Sequence, residues 1–310
     1  MARSQDDVPT PPRRRSPALV AGLALTVATA LVGGWAQPAA AIVGGQQADP
    51  GEWPWHVQVL VHGGQYCGGS LLGADVVVTA AHCLEDLGAG DLSIEAGSVR
   101  HHGPDAQRRN VARVVVHEGY DPVLVENDIA LLVLDAPVKL GRGVALATIP
   151  DKPTAATLTG DGAPAVTTGF GATETADSSD VLLEATVQIY ADLECRAKYA
   201  EDGDEVIAAT QVCAGIDAGG VDSCYGDSGG PLVVPSRDGS TWYLIGIVSW
   251  AAGCGVPERP TIYTEVPSFT GWLAGHGLPV TSGAQATAVA ATAVLGVSIS
   301  VGSDRSLTAW

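Results

Sequence analysis

The chain has 310 residues and a formal net charge of −18 at pH 7. A surface this acidic repels nucleic acid and favours cationic substrates or partners, so we expect no nucleic-acid partner. Glycine (39 residues) and proline (19 residues) are abundant, which disfavours long surface helices and favours turn-rich β structure. The length is sufficient for one large β domain or two small ones, each with a buried core.

The first 41 residues are typical of an export signal. Three arginines at 13–15 precede an uncharged apolar run at residues 18–32, and three alanines at 39–41 provide a small-residue cleavage site. The alternative, a first transmembrane helix, is disfavoured because the apolar run is short. We therefore predict a signal peptide over residues 1–41 and a secreted protein.

Short apolar segments separated by turn residues follow along the chain. They predict β-strands at residues 57–61, 67–72, 76–83, 111–117, 129–134, 165–169, 182–189 and 244–250. Helical candidates are confined to residues 193–199 and 268–274. Because strands follow one another without regular intervening helices, the pattern predicts an all-β antiparallel sandwich or barrel.

All six cysteines lie between positions 67 and 254. An even number of cysteines in an exported chain predicts three disulfides, and the sequence alone permits fifteen pairings. No two cysteines have the Cys-x-x-Cys spacing, which argues against a structural zinc site.

The segment from residue 222 to 231 places Ser228 between glycines and beside the carboxylate of Asp227. Glycine allows a tight bend, in which the backbone N–H groups of Gly226 and Ser228 can point at one developing negative charge. This pattern is typical of a nucleophile beside an oxyanion hole. The alternative is an ordinary glycine-rich turn closed by a disulfide.

Two further residues could activate that hydroxyl. His82 ends one apolar, β-branched run, and Asp128 precedes another. A serine hydroxyl needs a base to become a good nucleophile, and imidazole titrates in the suitable range. A carboxylate would hold the ring in the required tautomer. Taken singly, His82 could be structural and Asp128 a strand-start cap, but together with Ser228 they predict a catalytic triad.

Five motifs follow one another along residues 42–276: Ile-Val-Gly-Gly at 42–45, Thr-Ala-Ala-His-Cys at 79–83, Asn-Asp-Ile-Ala-Leu-Leu at 127–132, Gly-Asp-Ser-Gly-Gly-Pro at 226–231 and Ser-Trp at 249–250. With them the sequence resembles the secreted serine proteases of the trypsin/chymotrypsin type. The resemblance implies two six-stranded antiparallel β-barrels with a short C-terminal helix. It also implies an endopeptidase in which Ser228 forms an acyl-enzyme, His82 is the base and then the acid, and Asp128 orients the ring.

The resemblance assigns further roles. Ser249 would line the cleft and support Asp128, while the N–H groups of Gly226 and Ser228 would form the oxyanion hole. Substrates would be proteins or peptides, protein protease inhibitors would be partners, and the molecule would be a monomer without a cofactor. The loop after Gly97 begins with Ser98 and lacks the early glutamate that calcium-binding relatives use, so we predict no metal. The implied disulfides join Cys67 with Cys83, Cys195 with Cys213 and Cys224 with Cys254.

The same resemblance implies activation by proteolysis. In the family, a newly cut N-terminal amine pairs with the carboxylate before the nucleophile; here these groups are the Ile42 amine and Asp227. Digestive relatives carry a basic residue before that isoleucine, whereas this chain has Ala41. We predict that signal peptidase cuts after Ala41 and releases active enzyme. The alternative is a cut after Ala36, which leaves a five-residue pro-segment.

The resemblance implies a specificity pocket formed by Asp222, Ser249, Ala251 and Thr261. Asp222 matches the floor of a pocket in which a carboxylate recognises arginine or lysine. Ala251 and Thr261 stand where trypsin-like members usually have glycine and elastase-like members have bulkier residues, so their side chains should narrow the path to Asp222. We predict cleavage after arginine or lysine with reduced efficiency. The alternative is a preference for small residues.

The domain boundaries follow from these motifs. We place the protease domain at residues 42–277 and an Ala/Thr-rich tail at residues 278–310. The tail is expected to be disordered; the alternatives are a cell-surface anchor, because residues 278–282 resemble a cell-wall sorting signal, and a marginal membrane helix. The alternative function is binding by a protease fold that has lost catalysis, although no triad residue is replaced.

Overall fold

The computed structural model describes residues 42–200 and 203–281. The predicted signal peptide and the tail beyond residue 281 lie outside the described residues. A short first strand, β1 (Gln46–Gln47), pairs with residues 183–184 in the second half of the chain. Within the described ranges, no helix has the length and apolar character needed to cross a membrane.

The N-terminal barrel consists of β2 (His56–Val61), β3 (Gly64–Gly73), β4 (Val76–Thr79), β5 (Leu92–Ala96), β6 (Gln107–Val116) and β7 (Ala130–Leu134). Its antiparallel strands close in the order β2-β3-β4-β7-β6-β5. Val59 shows the closure, since it pairs with Cys67 of β3 on one side and Ile94 of β5 on the other. Val57, Val59 and Ile94 are fully buried, so β-branched side chains form the barrel core.

The C-terminal barrel consists of β8 (Pro164–Gly169), β9 (Leu183–Tyr190), β10 (Gln211–Gly215), β11 (Pro231–Pro235), β12 (Trp242–Trp250) and β13 (Thr261–Glu265). The order is β9-β10-β13-β12-β11-β8, and the pairing of β8 with β9 closes it. Along β9, buried Val187 and Ile189 alternate with exposed neighbours, as expected for a strand with one face on the core.

Helices are few among the described residues: α1 (Lys152–Ala156), α2 (Asp192–Ala200) and α3 (Thr270–Gly275), with 3-10 turns at His82–Leu84, Ala89–Asp91 and Val266–Phe269. The last two α-helices coincide with the predicted helical segments. Helix α1 was not predicted; Asp151 caps it by accepting the Thr154 N–H at 2.9 Å. The predicted fold class, two antiparallel six-stranded β-barrels with a short C-terminal helix, is confirmed.

The described domain extends slightly past residue 277. Leu278 is buried in the core, and the Thr281 N–H donates to the carbonyl of Ile149 at 2.9 Å. Thr281 also forms an isolated parallel bridge with Pro150. Two of residues 278–281 are therefore packed against the domain. These four residues begin the segment that resembles a sorting signal.

Candidate active site

Adjacent strands of the N-terminal barrel bring His82 and Asp128 together. Thr79, the last residue of β4, pairs with Ala130, the first residue of β7, and the two side chains come from the segments beyond these ends. His82 Nδ1 lies 2.8 Å from Asp128 Oδ2, and the His82 backbone N–H donates to Asp128 Oδ1 at 2.9 Å. Asp128 is fully buried. Two contacts to one carboxylate thus fix both the backbone and the ring of His82.

The C-terminal barrel supplies two more contacts to Asp128. The Ser249 hydroxyl donates to Oδ2 at 2.5 Å, and the Thr264 hydroxyl donates to the backbone carbonyl of Asp128 at 2.8 Å. Burial alone would lower the pKa of His82, but the hydrogen bond and the negative charge of Asp128 outweigh burial and raise that pKa above its usual value. The imidazolium form is therefore stabilised at this position.

Ser228 lies in the loop between β10 and β11. The Gly68 N–H donates to the Ser228 carbonyl at 2.7 Å, and Gly229 adopts a φ of +80°. A Cβ on Gly229 would come within 2.2 Å of the Thr79 hydroxyl oxygen, so only glycine fits there. Ser228 and His82 line one cavity of about 420 Å³. The loop is therefore packed tightly against the barrel that carries His82.

The backbone of Gly226 is also in a glycine conformation, with a φ of +88°. Its carbonyl accepts the Gln65 side-chain N–H at 3.2 Å. The N–H groups of Gly226 and Ser228 donate to no described residue, and both residues line the cavity. Two donors without a protein acceptor beside a hydroxyl are suited to binding an anion.

Asp222 is 2% exposed, and three neutral donors hold its carboxylate. The Thr261 hydroxyl donates at 2.6 Å, and the N–H groups of Ser223 and Gly255 donate at 2.9 and 3.2 Å. Burial raises the pKa of Asp222 to about 6, because these hydrogen bonds offset the loss of hydration only in part. No basic side chain of the described residues forms an ion pair with it.

Asp222 contributes no surface to the cavity. Thr261, which donates to its carboxylate, lines the cavity together with Ala251 and Gly253. The narrowing at Ala251 and Thr261 stays a prediction, to which the structure adds the hydrogen bond from Thr261 to Asp222.

Ile42 is fully buried beside Leu183 and Ala185. Its φ of +55° is unusual for a β-branched residue. The next residue, Val43, forms an isolated bridge with Asp222, whose N–H donates to the Val43 carbonyl at 3.1 Å. The segment at 42–43 is therefore paired with Asp222, which directly precedes two residues that line the cavity, Ser223 and Cys224.

Asp227 is also fully buried, and its carboxylate accepts the N–H groups of Gly171 and Cys224, each at 2.8 Å. Burial raises the pKa of Asp227 to about 7; the two hydrogen bonds lower it, and the charge of Asp222 raises it further. Among the described residues, this carboxylate has no hydrogen bond to Ile42. The pairing between the Ile42 amine and Asp227 stays a prediction, because it needs the amine that forms only when the bond before Ile42 is cut.

Comparison with known proteins identifies the family. A family model for trypsin matches residues 42–273. Trypsin-1 of Astacus astacus is 36% identical over 254 residues, which cover 76% of this chain and 100% of that protein. The chain belongs to the trypsin family. It is a trypsin-like serine endopeptidase, and its substrates are accordingly proteins or peptides.

Three disulfides support this trypsin-family domain: Cys67 with Cys83, Cys195 with Cys213 and Cys224 with Cys254. These are the pairs implied by the resemblance, chosen from fifteen that the sequence permits. The first bond involves the residue after His82, and the third joins two walls of the cavity.

Within the part of the chain that the structure describes, two groups of side chains bring possible metal-ligand atoms within 4.8 Å of one another. In the first, His82 lies beside Cys67 and Cys83, whose sulfurs form a disulfide and cannot act as thiolate ligands. In the second, Glu95 lies near His101 and His102, but the Arg108 guanidinium already contacts the Glu95 carboxylate at 2.7 Å. The absence of a metal stays a prediction for this trypsin-family protein.

Sequence reasoning missed two residues that position the site. Thr264 holds the carbonyl of Asp128, and Gly68 holds that of Ser228. Gly68 could have been found, because a glycine pair inside a strand indicates a close backbone approach; a Cβ on Gly68 would meet the Gly230 Cα at 2.8 Å. Thr264 has no comparable signal, since threonine is common in strands.

Proposed function

We propose that this trypsin-family protease cleaves peptide bonds through Ser228, His82 and Asp128. The observation that carries the proposal is the 2.8 Å contact between His82 Nδ1 and the buried Asp128, beside a cavity that Ser228 also lines. With the Nδ1 proton directed at Asp128, the imidazole has its lone pair at Nε2, where it can accept the Ser228 proton. This arrangement supports one catalytic unit rather than three separate structural roles.

In the proposed reaction, Ser228 Oγ attacks the substrate carbonyl carbon while His82 Nε2 accepts the hydroxyl proton. The N–H groups of Gly226 and Ser228 bind the oxyanion that forms. His82 then gives its proton to the leaving amine, and the C–N bond breaks to leave an acyl-enzyme. Water, deprotonated by His82, attacks the ester; the acid product leaves and Ser228 regains its proton.

For substrate preference, we propose cleavage after arginine or lysine with reduced efficiency. The support is Asp222, a buried carboxylate without a cationic partner among the described residues, which accepts a hydrogen bond from the cavity-lining Thr261. A long basic side chain must pass Ala251 and displace the Thr261 hydroxyl from Asp222 to reach it. That displacement favours a second candidate, a preference for small residues, which would leave the Thr261–Asp222 hydrogen bond intact.

For activation, we propose that cleavage after Ala41 allows the Ile42 amine to pair with Asp227. The φ of +55° at Ile42 is strained for a β-branched residue, and φ is defined by the preceding carbonyl carbon. Removing that carbonyl relieves the strain and creates an ammonium group. Burying either charge alone is costly, so the pair would form together. N-terminal sequencing of secreted protein tests this; a start at Gln37 would contradict it.

We further propose secretion as a monomer that protein protease inhibitors can block. Three disulfides suit an oxidising compartment, and the net charge of −18 disfavours nucleic-acid binding.

The burial of Leu278 and the pairing of Thr281 do not suit recognition of residues 278–282 by an anchoring enzyme, so we propose release rather than anchoring. Protein retained on cells unless residues 278–310 are removed would contradict release.

The decisive experiment combines labelling with ester hydrolysis. A serine-directed sulfonyl fluoride should modify wild-type protein at Ser228, located by peptide mapping, and should not modify Ser228→Ala. Ser223→Ala is the matched control, because that serine is buried in the same loop. Hydrolysis of arginine, lysine and alanine peptide esters then ranks the preference. Labelling elsewhere would refute the triad, and a clear alanine preference would favour the second candidate.

A further inference from the structure

Lys198 is an unusual lysine in this acidic chain. It lies in the last turn of α2, and its side chain is only 10% exposed. Its ammonium group contacts three carboxylates: Asp217 at 2.9 Å, Glu258 at 2.5 Å and Glu194 at 3.5 Å. Its Nζ also lies 5.0 Å from the ring centroid of Tyr190. One cation is therefore surrounded by three anions.

The two strongest partners belong to different loops. Asp217 lies just after β10, and Glu258 lies just before β13. The Glu258 N–H donates to the Asp217 carbonyl at 3.1 Å, and the Gly220 N–H donates to the Gly255 carbonyl at 2.9 Å. We name these segments the pocket loops, residues 216–220 and 253–258. Lys198 bridges them from outside.

The pocket loops adjoin the proposed specificity pocket. The Gly255 N–H is one of three donors to the Asp222 carboxylate, and Gly253 lines the cavity. A shift of the second pocket loop would therefore remove a hydrogen bond from Asp222 and reshape one wall. The disulfide between Cys224 and Cys254 restrains one end of that loop, whereas the Glu258 end depends on non-covalent contacts.

Glu258 itself has a strained backbone. Its φ is +62°, a left-handed conformation that costs free energy for a residue other than glycine, asparagine or aspartate. The Lys198 ammonium contacts its carboxylate directly and opposes release of this strain. Without that ammonium, the charges on Glu194, Asp217 and Glu258 would repel one another across a short distance. Strain and repulsion would then both favour separation of the pocket loops.

We infer that Lys198 is a positioning residue for substrate specificity, which fixes the two pocket loops and through them the surroundings of Asp222. The inference rests on the proposed assignment of Asp222 to the floor of the pocket. Lys198 touches neither substrate nor the triad, so it acts on substrate binding and leaves the chemical step unchanged.

The test is Lys198→Met, which keeps an unbranched side chain of similar length and removes its charge. With the ester that wild-type protein cleaves best, KM should rise roughly fivefold to tenfold while kcat stays within about twofold. Lys198→Arg should restore KM, because it preserves the charge. Lys152→Met is the matched control: Lys152 also pairs with a carboxylate, that of Glu265, and lies outside the pocket loops. It should leave KM unchanged.

Hydrogen exchange gives a second readout that needs no substrate. Residues 216–220 and 253–258 should exchange faster in Lys198→Met than in Lys152→Met. In a separate kinetic test, the double variant Lys198→Met/Glu258→Gly should recover part of the wild-type KM, because it lacks one carboxylate and the backbone strain at position 258. Unchanged exchange and KM would overturn the inference, as would an equal fall in kcat and in the labelling rate of Ser228. A wild-type protein that hydrolyses no ester would instead refute the proposed function, whatever the exchange result.

Discussion

Asp128 and Asp222 are both buried carboxylates on the active-site face, yet the protein holds them differently. Asp128 contacts His82, a side chain that can carry a positive charge, as well as the Ser249 hydroxyl. Asp222 receives hydrogen bonds only from neutral groups, the Thr261 hydroxyl and two backbone N–H groups. Burial consequently raises the pKa of Asp222 to about 6.

The difference indicates two kinds of task. A buried carboxylate that already has a cationic partner is neutralised before substrate binds, and it can orient that partner. A buried carboxylate that has only neutral donors lacks a counter-charge, so its burial remains costly until a cation approaches. Asp128 should therefore affect turnover of every substrate, and Asp222 only that of substrates with a basic side chain.

The largest expected effect is that of Asp128→Asn. An amide can hold His82 only in the wrong tautomer, so kcat should fall by about 10⁴-fold for both arginine and alanine esters. Steady-state kinetics measures this. Asp135→Asn is the control. Asp135 directly follows β7, whereas Asp128 precedes that strand, and its exposed carboxylate accepts a hydrogen bond from the Asn110 side chain. A loss below tenfold would remove Asp128 from the mechanism.

Asp222→Asn should discriminate between substrates instead. Removing one partner of a buried charge pair costs several kcal/mol, so kcat/KM for the arginine ester should fall by about 10²-fold. The alanine ester serves as the internal control and should change less than about threefold. Equal losses for both esters would show that the two carboxylates share one role.

Thr261→Gly should produce a gain. Removing the hydroxyl and the methyl group opens the path to Asp222 and frees the oxygen that now accepts a 2.6 Å hydrogen bond. We expect kcat/KM for the arginine ester to rise by about tenfold. Thr261→Ser keeps the hydroxyl and should stay near wild type if the hydrogen bond, rather than the methyl group, limits access. An unchanged Thr261→Gly would eliminate this residue as the barrier.

The smallest expected effect is a pH dependence of preference. The Asp222 carboxyl, with a pKa near 6, is neutral at lower pH and ionised above it. Because a basic side chain requires the ionised form, the ratio of arginine to alanine kcat/KM should increase severalfold as pH rises through about 6. Titration of His82 affects both esters and cancels in the ratio. The ratio should be flat in Asp222→Asn; a flat ratio in wild type would contradict this account.

The sequence alone predicted those parts of the fold and of the candidate site that short stretches of residues determine. The loop around Ser228 and the segment before His82 have compositions that suggest their roles, and runs of β-branched residues predicted most strands. Strands β5, β10, β11 and β13 were not predicted because they are short and contain glutamate, cysteine or proline. Such strands gain their stability from pairing inside a closed barrel, which no local pattern encodes.

Long-range polar contacts that lie outside the family motifs were not predicted from the sequence. Thr261 was predicted as added bulk, but its hydrogen bond to Asp222 joins residues 39 positions apart. For Lys198 the sequence offers only the helical pair with Glu194, four positions before it. Its other two partners, Asp217 and Glu258, lie 19 and 60 positions away. Only the folded chain brings these charges together, and their effect depends on burial that composition does not report.

Asp128 is bonded by Ser249 and Thr264, two residues of the other barrel. The rate of turnover therefore depends on the contacts between the two barrels. The far-ultraviolet circular dichroism signal depends instead on the strands within each barrel. On gradual heating, activity should be lost at a lower temperature than the β signal. The interval between the two transitions would measure how strongly the barrels hold each other, separately from how strongly each barrel holds itself.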